Sequence, residues 1–277
     1  MVLPTFLICG AHKAGTTALY KFLDQHPEIL MSEPKETGFF GANYDRGWKW
    51  FATHFEGYDG EEAVGEASSM TMASEKAPER IAERLPDVKL IFLLRNPIER
   101  AYSHYYYHLY TGKAVTPASF SEVIRDQDSA FRREIIQLGR YDQQIPRFDE
   151  HFGRDQMKTV LQEEFRSDPA TIVNDVCRHV GVDSGFTPAT DAYNTTRNPV
   201  SPGLYYWARR VWQPVRSVGE SLFPSGVETL RDKARNVLTG RERPEMKPEI
   251  RRHLREVYDD TIAWTEERIG RELPHWR

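Results

Sequence analysis

The stretch FLICGAHKAGTTALYKFL, Phe6–Leu23, decides the fold. Phe6–Cys9 is an unbroken apolar run, the pattern of a strand covered on both faces. Gly10 ends it, a short loop reaches Gly15, and from Thr16 to Gln25 the residues Ala18, Leu19, Phe22 and Leu23 share one helical stripe. Pro27 stops that helix. A strand, a glycine-bounded loop and a helix together form a phosphate cradle. The glycines permit tight backbone turns, and the first-turn amides face an anion with the helix dipole behind them. Thr16 and Thr17 add hydroxyl donors. A Walker-type loop carries its lysine directly after the second glycine, whereas Lys13 precedes Gly15 by two residues. The next strong strand ends LLRNP, with Arg95 where a magnesium-binding aspartate would be needed. The loop therefore reads as a phosphate site that works without a metal.

Working outward, EEAVGEAS suggests a short strand near Ala63–Glu66, and VKLIFLL a continuous apolar strand over Val88–Leu94. MKTVLQEEF reads as another buried strand. Helical patterns cover Glu75–Leu85, Pro97–Tyr110, Phe120–Asp126, Tyr141–His151, Asp168–Val180 and Pro248–Gly270. Strands separated by helices imply an α/β fold: a P-loop-like parallel β-sheet flanked by helices. From roughly 187 to 248 the texture turns rich in Pro, Gly and aromatics, which reads as a loop-rich C-terminal cap folded within one domain, 1–277.

A second anion site is expected at LLRNPIERAYS. Asn96 suits an N-cap, Pro97 the first helical position and Glu99 a capping box, so Arg95 sits at the C-terminal tip of a buried strand. Ligands of open α/β sheets bind at such tips, and a guanidinium held there calls for an anion, or else for a structural carboxylate. Ser103, about two turns into the helix, can add a hydroxyl.

These segments resemble the PAPS-dependent sulfotransferases, and in particular the branch holding the heparan sulfate N- and 3-O-sulfotransferases and related bacterial enzymes. PAPS, 3′-phosphoadenosine-5′-phosphosulfate, is their sulfate donor and PAP the product. HKAGTTALYKFLDQHP is similar to their 5′-phosphosulfate loop, which assigns donor contacts to His12, Lys13, Ala14, Gly15, Thr16 and Thr17. Arg95 and Ser103 match the pair that grips the 3′-phosphate. LTGRERPEM resembles the glycine–basic loop over that phosphate, which adds Gly240, Arg241 and Arg243. The resemblance implies in-line sulfuryl transfer to a hydroxyl or amine of a glycan, a glycolipid or another small metabolite, with Lys13 beside the bridging oxygen and no metal required. In EPKETGFF, Glu36 lies three residues before Phe39–Phe40, the spacing of the family's base glutamate, and Lys35 before it also matches. His12 is the rival base.

There are departures. Many heparan sulfotransferases carry Glu-Lys-Ser after the second strand, where GEAS places Ala67 at the lysine position, and the cap lacks the cysteines that often form a disulfide there. Both favour an acceptor other than heparan. The competing readings are a metal-dependent P-loop nucleotide or sugar kinase and a PAP-binding regulator without chemistry.

Bulk properties set the remaining expectations. A net charge of −4 argues against general nucleic-acid binding, although Arg231–Arg255 holds nine Lys/Arg against four Asp/Glu. No segment approaches the roughly 18 consecutive apolar residues of a membrane span. The start shows no basic, apolar leader, and the chain has two distant cysteines, Cys9 and Cys177. A cytoplasmic enzyme is the expectation. His104 and His108, at i and i+4 with no acidic motif between them, read as a satisfied helix face, so no metal site is assigned.

Overall fold

The computed structural model describes residues 1–111, 113, 118–189 and 244–277, together with the backbone of 198–199 and 239–240. The chain divides into two compact units. One comprises Met1–Arg100, Leu138–Tyr193 and Tyr258–Arg277, the other Ala101–Gln137 and Asn194–Val257.

The first unit is built on five parallel strands: β1 (Phe6–Gly10), β2 (Ile29–Met31), β3 (Ala63–Ala67), β4 (Lys89–Leu94) and β5 (Met157–Leu161), in the spatial order β2-β3-β1-β4-β5. The central strands β1, β3 and β4 are almost wholly buried, which is why their sequences do not alternate. From β1 the chain fills the sheet on one side with β3 and β2 and then returns to add β4 and β5 on the other. Order reverses between β1 and β4, and in open α/β sheets the crevice beyond such a reversal is where ligands bind. Leu7 pairs with Leu90 and Ile8 with Ile91, and the Ala11 amide still donates to the Leu93 carbonyl at 2.6 Å. The loop after β1 thus leaves the sheet against the tip of β4.

Helix α1 (Thr16–Leu23) buries Leu19, Phe22 and Leu23, as its stripe predicts. Helices α2 (Gly47–Ala52) and α3 (Ala77–Ala82) follow. Around α2, Phe39 stacks flat on Phe51 at 4.2 Å, with Phe40 and Trp48 edge-on. Of the aromatics in Tyr44–Phe55, Phe51 and Phe55 are buried core residues, while Tyr44, Trp48 and Trp50 are half-buried around them. Gly65 in β3 is required by space: a Cβ there would lie 2.2 Å from the Phe6 ring and 2.6 Å from the Met31 sulfur.

Several boundaries differ from the sequence reading. MKTVLQEEF is a strand only to Leu161, which pairs with Leu94 where β4 ends; Gln162–Ser167 then coils into a helix. The expected helix Tyr141–His151 divides into Tyr141–Gln144 and Pro146–Asp149, because Pro146 has no amide to continue the ladder. Pro248–Gly270 divides at Tyr258, whose φ of −104° and ψ of 10° leave helical geometry.

Helix α4 (Pro97–Thr111) begins in the first unit and ends in the second. Within the second unit, helices α5 (Phe120–Arg125) and α6 (Ala130–Gln137) pack buried Phe120 and Phe131 near Tyr105 of α4. The Tyr102 hydroxyl donates to the Pro244 carbonyl at 2.7 Å. Asn198–Pro199 and Thr239–Gly240 form a short antiparallel pair.

One buried polar group fastens the segment after β2 to the sheet. Glu66 of β3 is 1% exposed and accepts from the Thr37 hydroxyl (2.7 Å), the Thr37 amide (3.3 Å) and the Ser68 hydroxyl. Burial pushes its carboxyl up to about 7, against the pull of those hydrogen bonds and with a further push from the Glu36 charge. A raised carboxyl favours the fold most below its ordinary value of 4.5, and that contribution is lost as pH climbs through about 7. Glu66→Gln keeps the acceptor oxygen and removes the titration. Its urea midpoint should fall less than that of the parent between about pH 5 and about pH 8, the gap corresponding to on the order of 3 kcal/mol at the alkaline end. Parallel pH profiles for the two proteins would show that Glu66 does not titrate in this range.

Candidate active site

The loop after β1 holds an unusual backbone. Gly15 caps α1 at φ 106°, a conformation open to glycine, and Lys13 sits at φ 71°, which costs an L-residue about 1 kcal/mol or more. The first helical hydrogen bond runs from the Ala18 amide to the Gly15 carbonyl at 2.9 Å. The Thr16 and Thr17 amides lie ahead of it and have no acceptor within the helix. Ala14 is buried and packs the loop down, while His12 and Lys13 are half-buried.

Arg95 lies where expected, directly after β4, and its guanidinium donates to the Lys13 carbonyl at 3.2 Å. That bond ties the residue at the tip of β4 to the loop after β1. The position is firmly set. The Tyr141 hydroxyl donates to the Arg95 carbonyl (2.8 Å), and the Asn96 amide donates to Glu163 (3.0 Å). Asn96 Oδ1 accepts from the Ile98 amide at 2.9 Å, which makes it the N-cap of α4.

Lys35 and Glu36 converge on the same place. The Lys35 ammonium donates to the Thr16 hydroxyl (3.4 Å), the Ala67 carbonyl at the tip of β3 (3.4 Å) and Glu36 Oε1. Glu36 Oε2 accepts from the Ser69 amide (3.0 Å) and the Ser69 hydroxyl (3.3 Å). His12 Nδ1 lies 3.1 Å from that same hydroxyl oxygen. With the Ser69 hydroxyl donating to Glu36, its oxygen is left to accept from a protonated His12 Nδ1. Glu36 and His12, rivals in the sequence, are thus linked through Ser69. The Glu36 side chain remains half-exposed, open to an incoming group.

The structure brings His12, Lys13, Ala14, Gly15, Thr16, Lys35, Glu36 and Arg95 together in the first unit, with Thr17 exposed at the start of α1. Ser103 is buried on α4, in the part that belongs to the second unit. The backbone of Gly240 pairs with Asn198, and Arg241 and Arg243 lie outside the described residues. Sequence reasoning missed Glu66 and Ser69. An acid inside the buried run AVGEA was the available signal for Glu66, since a carboxylate is seldom fully buried without partners.

Comparison with known proteins gives this geometry a family. A family model described as a sulfotransferase domain matches residues 3–266. Over 99% of its length the chain is 30% identical to the bifunctional heparan sulfate N-deacetylase/N-sulfotransferase 4 of Mus musculus, of which the match covers 31%. It is 28% identical over 99% of its length to the bifunctional heparan sulfate N-deacetylase/N-sulfotransferase 1 of Caenorhabditis elegans, again covering 31% of that protein. The chain thus spans about a third of the length of these curated relatives. In structure it is similar to a crystallised sulfotransferase from Alicyclobacillus acidocaldarius, with a TM-score of 0.75 and 26% identity over all of both chains. The matched span runs from ahead of β1 into the last long helix and takes in the loop, both strand tips and the Lys35–Glu36 pair, and on that ground the chain belongs to the sulfotransferase family.

Proposed function

We propose that the chain moves a sulfuryl group from PAPS to a hydroxyl or amine of a glycan-type acceptor, with Glu36 taking the acceptor's proton. The observation that carries this reading is the convergence of Lys35, Glu36 and Ser69 on the loop that Arg95 joins to β4. PAPS has an anion at each end, phosphosulfate on the 5′ side and phosphate at the 3′ position. A loop with first-turn amides and a neighbouring guanidinium suits such a molecule. In the reaction, the bond from sulfur to the bridging phosphosulfate oxygen breaks and a bond from sulfur to the acceptor forms. PAP leaves, and the acceptor's proton passes to the Glu36 carboxylate.

Each residue then has a task. Lys13 offsets charge on the departing oxygen. Lys35 keeps Glu36 oriented and ties it to Thr16, so the base and the donor loop move as one piece. Ser69 holds the second carboxylate oxygen, which leaves a single geometry for proton transfer. The similarity to heparan sulfate N-deacetylase/N-sulfotransferases supports a carbohydrate acceptor. Both cysteines are buried and unbridged, which supports a reducing, cytoplasmic setting as part of the proposal.

Calorimetry with PAP and with ATP–Mg²⁺ tests the donor. PAP should bind at least about tenfold more tightly, and Lys13→Ala and Arg95→Ala should each weaken PAP by about tenfold or more. Tight ATP–Mg²⁺ binding without PAP binding would replace this reading with a kinase. Glu36→Gln tests the chemistry. PAP affinity should stay within about threefold, while PAP release from PAPS against a panel of sugar acceptors falls by about 10²–10⁴. Retained turnover in that variant would move the base elsewhere, and His12 is then the first candidate.

A further inference from the structure

The second unit carries a cluster that the proposed reaction does not use. His104 and His108 are one turn apart on α4, and Glu134 reaches them from α6. Glu134 Oε1 lies 3.2 Å from His104 Nε2 and 3.6 Å from His108 Nε2, and the three ligand atoms all fall within 4.8 Å of one another. We propose that these residues form a binding site for one divalent transition ion of the zinc class, with His104, His108 and Glu134 as its three protein ligands.

The distances carry the first part of the argument. A tetrahedral zinc ion with donors at about 2.0–2.1 Å sets neighbouring donors about 3.3 Å apart. The two nitrogen–oxygen separations, 3.2 and 3.6 Å, bracket that edge. Two imidazole nitrogens and one carboxylate oxygen suit zinc, cobalt or nickel, whereas magnesium and calcium require an all-oxygen set. Three protein ligands leave one position for water, as in sites where zinc keeps an open face.

The placement of the rings carries the second part. The two imidazoles stack at 4.4 Å between centroids, with 30° between their planes, and Phe131 of α6 stacks on His108 at 4.8 Å. A dication needs both rings neutral, with both Nε2 lone pairs aimed at one point. His104 is 1% exposed and rigidly housed, while the Glu134 side chain is 46% exposed and gives an ion a way in from solvent. The competing account is an imidazolium–carboxylate ion pair on a packed helix face, which makes the opposite prediction for metal. None of the three residues belongs to the donor loop, so the outcome is independent of the proposed sulfuryl transfer.

Titration of the full chain with Zn²⁺, after dialysis against chelator, is the test. One equivalent should bind and raise the melting temperature, and Co²⁺ in its place should give the intense visible absorption of a low-symmetry, four- or five-coordinate site. His108→Ala and Glu134→Gln, both at positions with solvent access, should each weaken Zn²⁺ binding by about tenfold or more. PAP affinity in both variants should be unchanged, and exchange of the exposed His151 for Ala should leave Zn²⁺ binding as it was. Failure to bind an equivalent of Zn²⁺, or binding equal in the parent, His108→Ala and Glu134→Gln, would overturn the proposal in favour of the ion pair.

Discussion

The pairing of β1 with β4 is the constraint on which the site depends. These strands are distant in sequence, yet their register sets Leu7 beside Leu90 and carries the contact past the sheet, to the Ala11 amide on the Leu93 carbonyl. Gly10 at the end of β1 pairs with Phe92, β4 runs on to Leu94, and the loop that leaves β1 lies against that extension. Arg95 reaches Lys13 because the sheet delivers it there, and buried apolar area provides the force that holds the two strands in place.

A second layer fixes what the sheet leaves loose. The segment after β2 is irregular, and an irregular segment holds a carboxylate such as Glu36 in place only if its polar atoms are tied. Glu66 and Ser68 tie it from below at Thr37 and Gly38, and Ser69 ties it from the side at Glu36. Lys35 closes the arrangement by spanning Thr16 and the Ala67 carbonyl. A lysine at position 67 would present a cation from the end of β3 itself. Here Ala67 is small, and the Lys35 ammonium comes to its carbonyl from the neighbouring segment instead.

How much of this was legible in the sequence follows from the kind of signal each part leaves. β1 and β4 were plain because a strand buried on both faces is written as a continuous apolar run. The loop was plain because glycines, threonines and a lysine at fixed spacing have few other uses. β2, at three residues, is too short to show a period, and Ser69 belongs to no motif. The Tyr141–His151 pattern has helical spacing throughout, and only the missing amide of Pro146 divides it. Glu134 could not be paired with His104 and His108 from sequence, since a turn and a second helix separate them and no fixed interval links the three. Periodicity reports which face of an element is buried. It does not report which two faces meet.

The left-handed backbone of Lys13 has a consequence for how such loops are inherited. A residue with a side chain does not choose that conformation by itself, so the shape is imposed by neighbours: the Leu93 carbonyl, the Arg95 guanidinium and the close wall of Met72 against Gly10. Transplanting residues 10–17 onto another strand–helix junction would carry the letters without the curvature. The portable unit is the loop with the neighbouring strand end and its arginine, a piece discontinuous in sequence and continuous only in space.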